Sequence, residues 1–576
     1  MAAASDSLAA PLAQKRTRAY SFRDPLLYVH GLVLVVLVFL IVYPGLILLE
    51  LSFRDKEGNF SLVWYQQAYA NARNLAAIVN TVIIAVGSAL MAAVVGTILA
   101  WAVVRTDMPG RTFTAIASIV PFITSSFIGA LAWVLLGSPE VGLVNQGWRW
   151  LVGGDAVLIN IYSIWGIIFV IGLYEVPFIF LMVAGALRSM DPSLEEASLA
   201  SGAGTWRTTT RVTLPLVLPA ILAGSLVVFV LAAEQFGVPA VLGTPNRIRV
   251  LTTSIVSAQT FYPPQRGLGA ALSVTLLAIA LVGLFLQRRI LRGRSFTTVA
   301  GKSSQPRRMK LGAFRWVLFA ICTTYLMLAV VLPFSTIFVS SIRTIWTSDF
   351  RWEQFTLENY RWVFFEYPLT QRAILNSLFL AVVGATVTIL FCALVSFLSL
   401  RTKLPGRHLL DYLSMLPLGI PGVVLAFAML EVWINPPLVL YGTIWIMFIA
   451  YFTRYLPIGV RSTSATLVQI HPELEESSLS CGANWLQTFA RVTLPLLKPG
   501  IIAGWILLFL AFSRELSASV LLYSPGLEVI SVVMYDLQQN GQFREISALA
   551  VFQIVFSIAI LLIAKPFVTK RNDLHA

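Results

Sequence analysis

Long apolar blocks alternate with short polar connections along most of the chain. A helix needs about 20 mostly apolar residues to cross the hydrocarbon core of a bilayer, and twelve blocks reach this size. The pattern therefore predicts an all-α polytopic membrane protein with twelve transmembrane helices. The predicted spans lie near residues 26–53, 76–104, 113–137, 158–187, 219–242, 267–287, 314–341, 373–400, 409–433, 440–460, 500–522 and 545–566.

The composition excludes a water-soluble protein. Hydrophobic residues make up 57% of the 576 residues and charged residues only 12%, whereas roughly a quarter of the residues of a soluble domain are charged. The first block is too long for the core of a signal peptide and no small-residue cleavage site follows it, so we expect it to remain as an anchor. The three cysteines and four histidines are widely scattered, and they predict neither a disulfide framework nor a metal site.

The basic residues predict the orientation of the spans. With a cytoplasmic N-terminus, 27 of the 41 lysines and arginines fall on the cytoplasmic side, 12 fall on the other side, and Arg454 and Arg514 fall within spans. Because loops rich in Lys and Arg stay in the cytoplasm, both termini are predicted to be cytoplasmic.

Much of the basic excess lies in a segment at 288–313 that also contains Ser, Gly and Pro. No platform of aromatic residues is interleaved with these charges, so a nucleic-acid partner is not predicted. The segment is instead expected to be a flexible linker held against anionic lipid headgroups.

The linker separates two halves whose sequences repeat each other. Matched residues early in each half, such as Asn80 and Asn376, are 296 residues apart, whereas matched residues later in each half are 280 residues apart. The first half therefore has 16 additional residues between these two groups of matches. We place these residues in the loop at 138–157. The matched segments are RTDMPGR at Arg105–Arg111 with RTKLPGR at Arg401–Arg407 at the first spacing, and Leu194–Gly202 with Leu474–Gly482 and Arg211–Leu216 with Arg491–Leu496 at the second.

The repeat predicts the organisation of the chain. Each repeat has six spans, an even number, so both repeats enter the membrane in the same orientation and are related by a pseudo-twofold axis along the membrane normal. A translocation path along that axis would cross the bilayer. The alternative, a duplication that only enlarges a scaffold, is less favoured because the best-matched segments are loops. The predicted segments are a cytoplasmic tail (1–25), a first repeat (26–287), the basic linker (288–313), a second repeat (314–566) and a cytoplasmic tail (567–576).

A polar segment with a helical pattern separates the fourth and fifth spans of each repeat. In the first copy Asp191 can cap a helix that has Pro192 at its first position. Glu195 and Glu196 then lie near the positive end of the helix dipole. Small residues follow, and Gly202 can end the helix in the left-handed conformation.

A second short helix is expected at 205–212, before Leu214-Pro215. Such a helix, with small side chains and an exposed carboxylate, can dock closely into a groove of another protein. The alternative is an interfacial helix whose small residues only pack on the bundle. The second copy repeats the plan with Pro472, Glu475, Glu476, Ser477, Ser478, Ser480, Gly482 and Leu494-Pro495.

These residues resemble a known family. The pattern Glu-Ala-Ser-x-x-x-Gly at 196–202, and its counterpart Glu-Ser-Ser-x-x-x-Gly at 476–482, are each followed by Leu-Pro. Both are similar to the EAA loop of binding-protein-dependent ABC importer permeases, and two copies on one chain resemble the fused permeases of the ferric-iron type. In that family the loop is a coupling helix that inserts into a cleft of a cytoplasmic ATPase.

The resemblance implies a permease subunit of the bacterial-type inner membrane, with no catalytic residues and no cofactor on this chain. Two copies of an ABC ATPase would bind ATP and Mg, and an extracytoplasmic solute-binding protein would deliver the solute. Serines replace alanines of the family pattern at Ser198, Ser477 and Ser478, and they keep the side chains small. The implied ATPase-coupling residues are Glu195, Glu196, Ala197, Gly202, Glu475, Glu476, Ser477 and Gly482.

The chain has no nucleotide-binding loop of its own. Its nearest approach is Gly301-Lys302-Ser303, but Phe296 stands where the phosphate-binding pattern requires glycine. The ATPase must therefore be another chain. No extramembrane segment is long enough to capture a solute, so a separate receptor is expected to dock on the outer loops at 54–75, 138–157, 243–266, 342–372 and 523–544.

Ionisable residues within predicted spans are costly and usually face a cavity or a partner. Glu234-Gln235 in the fifth span corresponds to Arg514-Glu515 in the eleventh. Because the repeat symmetry brings both pairs to the central axis, we predict that these four residues line or gate the path. The alternative is a structural ion pair between Glu234 and Arg514. Weaker candidates, expected near span ends where long side chains reach the interface, are Glu175, Glu431 and Arg454.

The sequence defines the solute less well. The resemblance favours ferric iron, but similar fused permeases serve thiamine, phosphonates, sugar phosphates or polyamines. No tyrosine or histidine cluster marks a metal site, and the outer arginines Arg247, Arg249 and Arg266 would suit an anion or an acidic receptor. A competing class, the ion-coupled secondary transporter, predicts uptake without an ATPase and more embedded carboxylates than occur here. A membrane enzyme would need a nucleophile–base pair or a metal constellation, and neither is evident.

Overall fold

The computed structural model describes residues 25–291, 308–347 and 351–569. Within these ranges the chain is built from helices, with isolated β-bridges between some of the connecting segments. The predictions made for most of the N-terminal tail, for most of the linker and for residues 570–576 lie outside the described residues.

The first half contains the predicted spans in order, with additional short helices between them. Its helices are α1 (Pro25–Phe53), α2 (Val63–Ala70), α3 (Ala72–Arg105), α4 (Arg111–Ile123), α5 (Ser126–Gly137), α6 (Leu143–Val152), α7 (Ile164–Ser189), α8 (Ser193–Ala200), α9 (Thr205–Ala233), α10 (Gly237–Gly243), α11 (Leu251–Thr260) and α12 (Arg266–Leu291).

The second half repeats this order, except that its described residues contain no counterpart of α6. That helix lies in the loop at 138–157, where the additional residues of the first half were placed. The helices of the second half are α13 (Phe314–Ser341), α14 (Glu358–Arg361), α15 (Pro368–Arg401), α16 (Arg407–Gly419), α17 (Gly422–Trp433), α18 (Ile444–Gln469), α19 (Glu473–Ser480), α20 (Trp485–Leu496), α21 (Lys498–Ser513), α22 (Ser519–Leu522), α23 (Ile530–Gln539) and α24 (Phe543–Thr569).

The helices support the predicted polytopic fold. Among the described residues, 8 helices are long and apolar enough to cross a membrane, or up to 11 when each of three bent pairs counts as one span. The remaining predicted span, 440–460, corresponds to α18, which is 26 residues long and contains Arg454 and Arg461.

Two predicted spans are not straight helices, which corrects the interpretation of the apolar blocks. The pairs α4–α5 and α16–α17, in the spans predicted at 113–137 and 409–433, bend by 100° and 108°. The pair α20–α21 bends by 72° just before the span predicted at 500–522. Pro421 explains one break, because it disfavours helical geometry at the preceding residue, and Ile420 is extended. Ser125 explains another, since it is also extended and its side chain caps the start of α5.

The fifth and eleventh spans end earlier than predicted. α9 ends at Ala233 and α21 at Ser513, and a short non-helical break separates each of them from the next short helix. The breaks begin at Glu234 and Arg514, the residues that the sequence singled out.

Corresponding helices pack together in the two halves. α3 packs against α7 and α9, and α15 packs against α18 and α21. Small residues allow the close approach, as is usual between membrane helices: a Cβ on Gly96 would lie 2.7 Å from Ile179 Cβ, and one on Gly459 would lie 2.6 Å from Cys392 Sγ. The first span of each half also contacts the opposite half, α1 against α17 and α13 against α5.

Candidate functional site

The helices α8 and α19, here called the EAA helices, occupy the same place in the two halves. Each has eight residues. They begin at Ser193 and Glu473, one residue after the predicted start. Asp191 Oδ1 accepts a hydrogen bond from the Ser193 backbone N–H at 2.9 Å, and this bond lowers the pKa of the Asp191 carboxyl. The predicted left-handed stops are confirmed, with φ of +83° at Gly202 and +87° at Gly482.

Glu195, in the first EAA helix, points into the protein. The residue is 3% exposed. It accepts a hydrogen bond from Thr213 Oγ1 at 2.5 Å, and its Oε2 lies 3.3 Å from Arg105 Nη1. In the second half Glu475 is 7% exposed and makes the same contacts, with Thr493 Oγ1 at 2.9 Å and Arg401 Nε at 3.2 Å.

Arg105 joins the EAA helix to the ends of two spans. It is the last residue of α3, and its Nη2 donates to the carbonyl oxygens of Leu187 at 2.8 Å and Met190 at 3.2 Å, at the end of α7. Arg105 therefore connects the EAA helix directly to the ends of α3 and α7. In the second half Arg401 Nη2 donates in the same way to the carbonyl oxygens of Leu467 at 2.8 Å and Ile470 at 2.5 Å.

Two of the three serines that replace alanine in the family pattern, Ser198 and Ser478, form side-chain hydrogen bonds. Ser198 Oγ lies 2.9 Å from Thr208 Oγ1, and Ser478 Oγ lies 3.0 Å from Thr488 Oγ1. Each bond ties an EAA helix to the segment that follows it.

The predicted separate helix at 205–212 is wrong for the first half, where the chain continues from Thr205 into α9 without a break.

The outer faces of the two EAA helices combine acidic and apolar side chains. Glu195 and Glu475 do not belong to these faces, so any part they have in ATPase coupling is to hold the helices on the bundle. The burial pattern of the two helices is the same residue by residue. The exposed residues are Ser193, Leu194, Glu196, Ala197, Leu199 and Ala200 in α8 and Glu473, Leu474, Glu476, Ser477, Leu479 and Ser480 in α19.

Substituting alanine for Gly202 is expected to destabilise the protein by about 1–2 kcal/mol, the cost of a left-handed residue that has a side chain. A Cβ at Gly202 has no atom within 4 Å, so backbone strain is the whole effect. Gly204→Ala is the matched control, because Gly204 has equally open surroundings and a φ of −69°. Thermal unfolding of both variants in detergent measures the difference, and equal transition temperatures would contradict the assignment.

The end of the linker contacts the first half beside its EAA helix. The Met309 backbone N–H donates to the Arg105 carbonyl oxygen at 2.9 Å, and the Asp107 N–H donates to the Met309 carbonyl oxygen at 3.2 Å. The Leu311 N–H donates to Asp107 Oδ1 at 3.0 Å. The Met309 side chain is buried, and its sulfur accepts from Thr209 Oγ1 at 3.9 Å. The linker is thus attached at the cluster that holds Glu195.

A buried polar network joins the two halves at the helix breaks. Arg454 Nη2 lies 3.2 Å from Glu234 Oε1, and Arg454 Nη1 lies 2.9 Å from Glu515 Oε1. Tyr455 donates a further hydrogen bond to Glu515. The Arg454 side chain is only 12% exposed and that of Glu515 only 4%. One arginine of the second half therefore binds a carboxylate from each half.

The suggested ion pair between Glu234 and Arg514 is absent. Arg514 instead donates to the backbone carbonyl oxygens of Phe122 and Thr124, and its guanidinium lies 5.3 Å from the centre of the Phe122 ring. The contact still crosses between the halves, because Phe122 lies in α4 and Thr124 at the α4–α5 break.

Gln235 is bonded within the first half. Its Nε2 donates to Glu175 Oε1 at 3.4 Å, and its Oε1 accepts from Ser126 Oγ at 3.3 Å. Glu175 and Arg454 lie inside α7 and α18, so the expectation that they lie near span ends is wrong. Glu431 does lie near the end of its helix and is 3.6 Å from Arg266.

A proline inside each of α7 and α18 is the sequence signal that marks Glu175 and the pair Arg454 and Tyr455. Glu175 and Tyr455 are each two residues before a proline inside a helix, Pro177 in α7 and Pro457 in α18. The spacing of 280 makes the two positions equivalent, and it places Arg454 beside them.

The described residues hold no group of three or more His, Cys, Asp or Glu side chains that could bind a metal ion. The segment Gly301-Lys302-Ser303 lies outside the described residues.

The sequence model of one family matches both repeats. The family is described as the binding-protein-dependent transport system inner membrane component, and it matches residues 92–295 and 396–569, together more than half of the chain. The chain belongs to this family. It is thus a multi-pass permease of a binding-protein-dependent ABC system, a translocation component of the inner membrane.

Individual relatives are similar over different lengths. The ferric transport system permease protein FbpB of Actinobacillus pleuropneumoniae is 27% identical over 549 residues, which cover 92% of this chain and 76% of that protein. The Fe(3+)-transport system permease protein FbpB 2 of Haemophilus influenzae is 25% identical and covers 84% of this chain and 89% of its own length. PhnV of Salmonella typhi, named for 2-aminoethylphosphonate transport, is 29% identical over 41% of this chain and 87% of its own length.

A solved structure also resembles part of the chain. The crystal structure of a bacterial ABC transporter involved in the import of the acidic polysaccharide alginate is 19% identical, covers 44% of this chain and 96% of the matched chain, and has a TM-score of 0.35.

Proposed function

We propose that this chain is the permease of an ATP-driven importer of ferric iron, and that its EAA helices dock on a pair of cytoplasmic ATPase subunits. The observation that carries the docking role is the repeated anchoring of Glu195 and Glu475, which leaves the same acidic and apolar face outward in both halves. The ferric substrate is supported by the FbpB relatives, which are similar over most of both chains.

The geometry supports a mechanical route for the coupling. Closure of the ATPase pair on ATP would draw the two EAA helices together. Arg105 and Arg401 would pass that displacement to the ends of α7 and α18. Because α18 also holds Arg454, its movement would open or close the network with Glu234 and Glu515. ATP must bind one of the two bundle states better than the other, and the EAA helices would convey that difference.

The proposed orientation places both termini and both EAA helices in the cytoplasm. A solute-binding protein would then dock at the opposite end of the bundle, and anionic lipid would contact the basic linker. Glu234, Gln235, Arg514 and Glu515, with Arg454, would line or gate the path between these ends.

An anionic solute such as a phosphonate is the second candidate, since PhnV is similar to part of the chain. One observation weakens it: Arg266 is 3.6 Å from Glu431, so part of the outer positive charge is already neutralised.

The test is transport by the reconstituted complex. Proteoliposomes that contain this chain with its ATPase and receptor should take up radioactive ferric iron when ATP is supplied, and the E196A/E476A variant should lose both uptake and co-purification of the ATPase. Glu196 and Glu476 are exposed, so the variant should fold normally. Retained ATPase binding with unchanged ATP turnover would contradict the docking role.

A matched control separates docking from a change of net charge. Glu57→Ala with Glu140→Ala removes the same charge from exposed positions outside the EAA helices. This variant should keep the ATPase bound.

Uptake of a phosphonate in place of iron would contradict the ferric substrate and leave the coupling role intact.

A further inference from the structure

A group of phenol and carboxylate side chains lies at the end of the second half that is far from its EAA helix. Tyr367 immediately precedes α15, whose other end, Arg401, contacts the EAA helix. A continuous helix of 34 residues is about 50 Å long, at 1.5 Å per residue. In the proposed orientation this end of the bundle faces the receptor.

Asp536 and Glu528 bring carboxylates to this position. Tyr367 Oη donates to Asp536 Oδ2 at 3.4 Å. Glu528 is only 8% exposed. Its Oε1 accepts from the Gly526 backbone N–H at 2.9 Å, whereas its Oε2 has no hydrogen-bond partner. A buried carboxylate oxygen without a partner is costly, and a bound cation would remove that cost.

The electrostatic surroundings are acidic. Burial raises the pKa of Tyr367, and the negative charges of Asp536 and Glu528 raise it further. The pKa of Tyr523 is raised by burial and then by the same two carboxylates and Tyr441. All the ionisable neighbours that shift these two phenols are acidic, so the potential at the group favours a cation.

The first half shows that the fold does not require these residues. Asn376 Nδ2 donates to the Glu528 carbonyl oxygen at 2.9 Å, and Asn80 Nδ2 donates to the Arg249 carbonyl oxygen at 3.0 Å. The same backbone contact therefore positions a glutamate in one half and an arginine in the other. Tyr367 corresponds to Asn71 at the spacing of 296 and Tyr523 to Gly243 at the spacing of 280. Asp536 corresponds to Ser257 at the spacing of 279 that separates Glu528 from Arg249.

One helix connects the group to the central network. Asp536 lies in α23, and the neighbouring Tyr535 ring is 5.5 Å from the Phe236 ring at the first helix break. Ser531, in the same helix, donates to the Glu515 carbonyl oxygen. The helix that carries Asp536 thus also contacts both breaks, which begin at Glu234 and Arg514.

We propose that Tyr367, Tyr523, Glu528 and Asp536 form an entry site for a hard trivalent cation, which is Fe³⁺ if the proposed function holds. Anionic oxygen donors suit hard cations, and the phenol protons would pass to solvent when the cation binds. The site must also release its ion for transport to proceed. The sequence pattern did not indicate such a site, because these residues are far apart in the sequence.

The test uses the full-length purified protein in detergent, titrated with ferric nitrilotriacetate. Binding should produce the visible absorption band of phenolate coordinated to Fe³⁺. The Y367F/Y523F variant should lose this band, and E528Q should raise the dissociation constant about tenfold or more. Y262F is the control that keeps the band, because Tyr262 is 96% exposed and belongs to the first half. Co-purification of the ATPase, which docks at the other end, reports that each variant is folded.

The outcomes separate this site from the proposed function. A band that survives in Y367F/Y523F, or saturation only at millimolar iron, would overturn the site. Variants that bind iron normally but no longer bind the receptor would also overturn it, because the group would then be a docking surface. A wild-type protein that imports iron with no band refutes the site alone, whereas one that shows the band but imports no iron refutes the ferric function and supports the site.

Discussion

Replacing Arg454 by methionine is expected to stop transport and to destabilise the protein by about 3–5 kcal/mol, the cost of breaking a buried ion pair from one side. The variant leaves Glu234 and Glu515 without their common cation, and both carboxylates are largely buried, at 17% and 4% exposure of the side chains. Unfolding of the purified protein in detergent and uptake by proteoliposomes are the two measurements.

Arg461→Met is the matched control, because Arg461 lies in the same helix and is exposed. Its effect on stability should stay within about 0.5 kcal/mol. The R454M/E234Q/E515Q variant removes all three charges together and should recover much of the lost stability. If transport also recovers, the network serves only to hold the two halves together. If transport still fails, the charges of the network lie on the solute path. An R454M variant as stable as the wild type would contradict the network itself.

The sequence predicted the helical architecture and the EAA helices because both depend on local patterns. Apolar length predicts spans, and the spacing of glutamate, small residues and glycine predicts the EAA helices. Bends are less visible, since apolar length is the same for a straight span and a broken one. The proline at Pro421 and the capping serine at Ser125 were the available signals.

The partners of charged residues could not be predicted, because they depend on contacts between distant segments. Glu195 and Glu196 are equivalent by local pattern, and only the position of Arg105, 90 residues earlier in the chain, decides which one is buried. Arg454 was underestimated because its equivalent in the first half is Tyr174, so the repeat gave no matching charge. The phenol and carboxylate group was missed because Tyr367 and Asp536 are far apart in sequence.

Changing Glu195 and Glu475 together to glutamine is expected to uncouple ATP hydrolysis from transport while the ATPase stays bound. Each change leaves a buried arginine without its counter-ion, with Arg105 at 0% exposure, and should cost about 3–5 kcal/mol of stability. The bonds from the threonines can persist with glutamine, so the helices should remain in place but transmit displacement poorly.

The neighbouring pair provides the decisive comparison. E196Q/E476Q alters the same two helices by the same chemistry at exposed positions, so its stability should change by less than about 0.5 kcal/mol, whereas its affinity for the ATPase should fall. The two double variants should therefore fail in different ways. E195Q/E475Q should keep the ATPase bound and hydrolyse ATP without transport, whereas E196Q/E476Q should be stable but should not bind the ATPase. If both variants lost the ATPase equally with no change in unfolding temperature, the inward glutamates would not be anchors, and the mechanical route through Arg105 and Arg401 would be wrong.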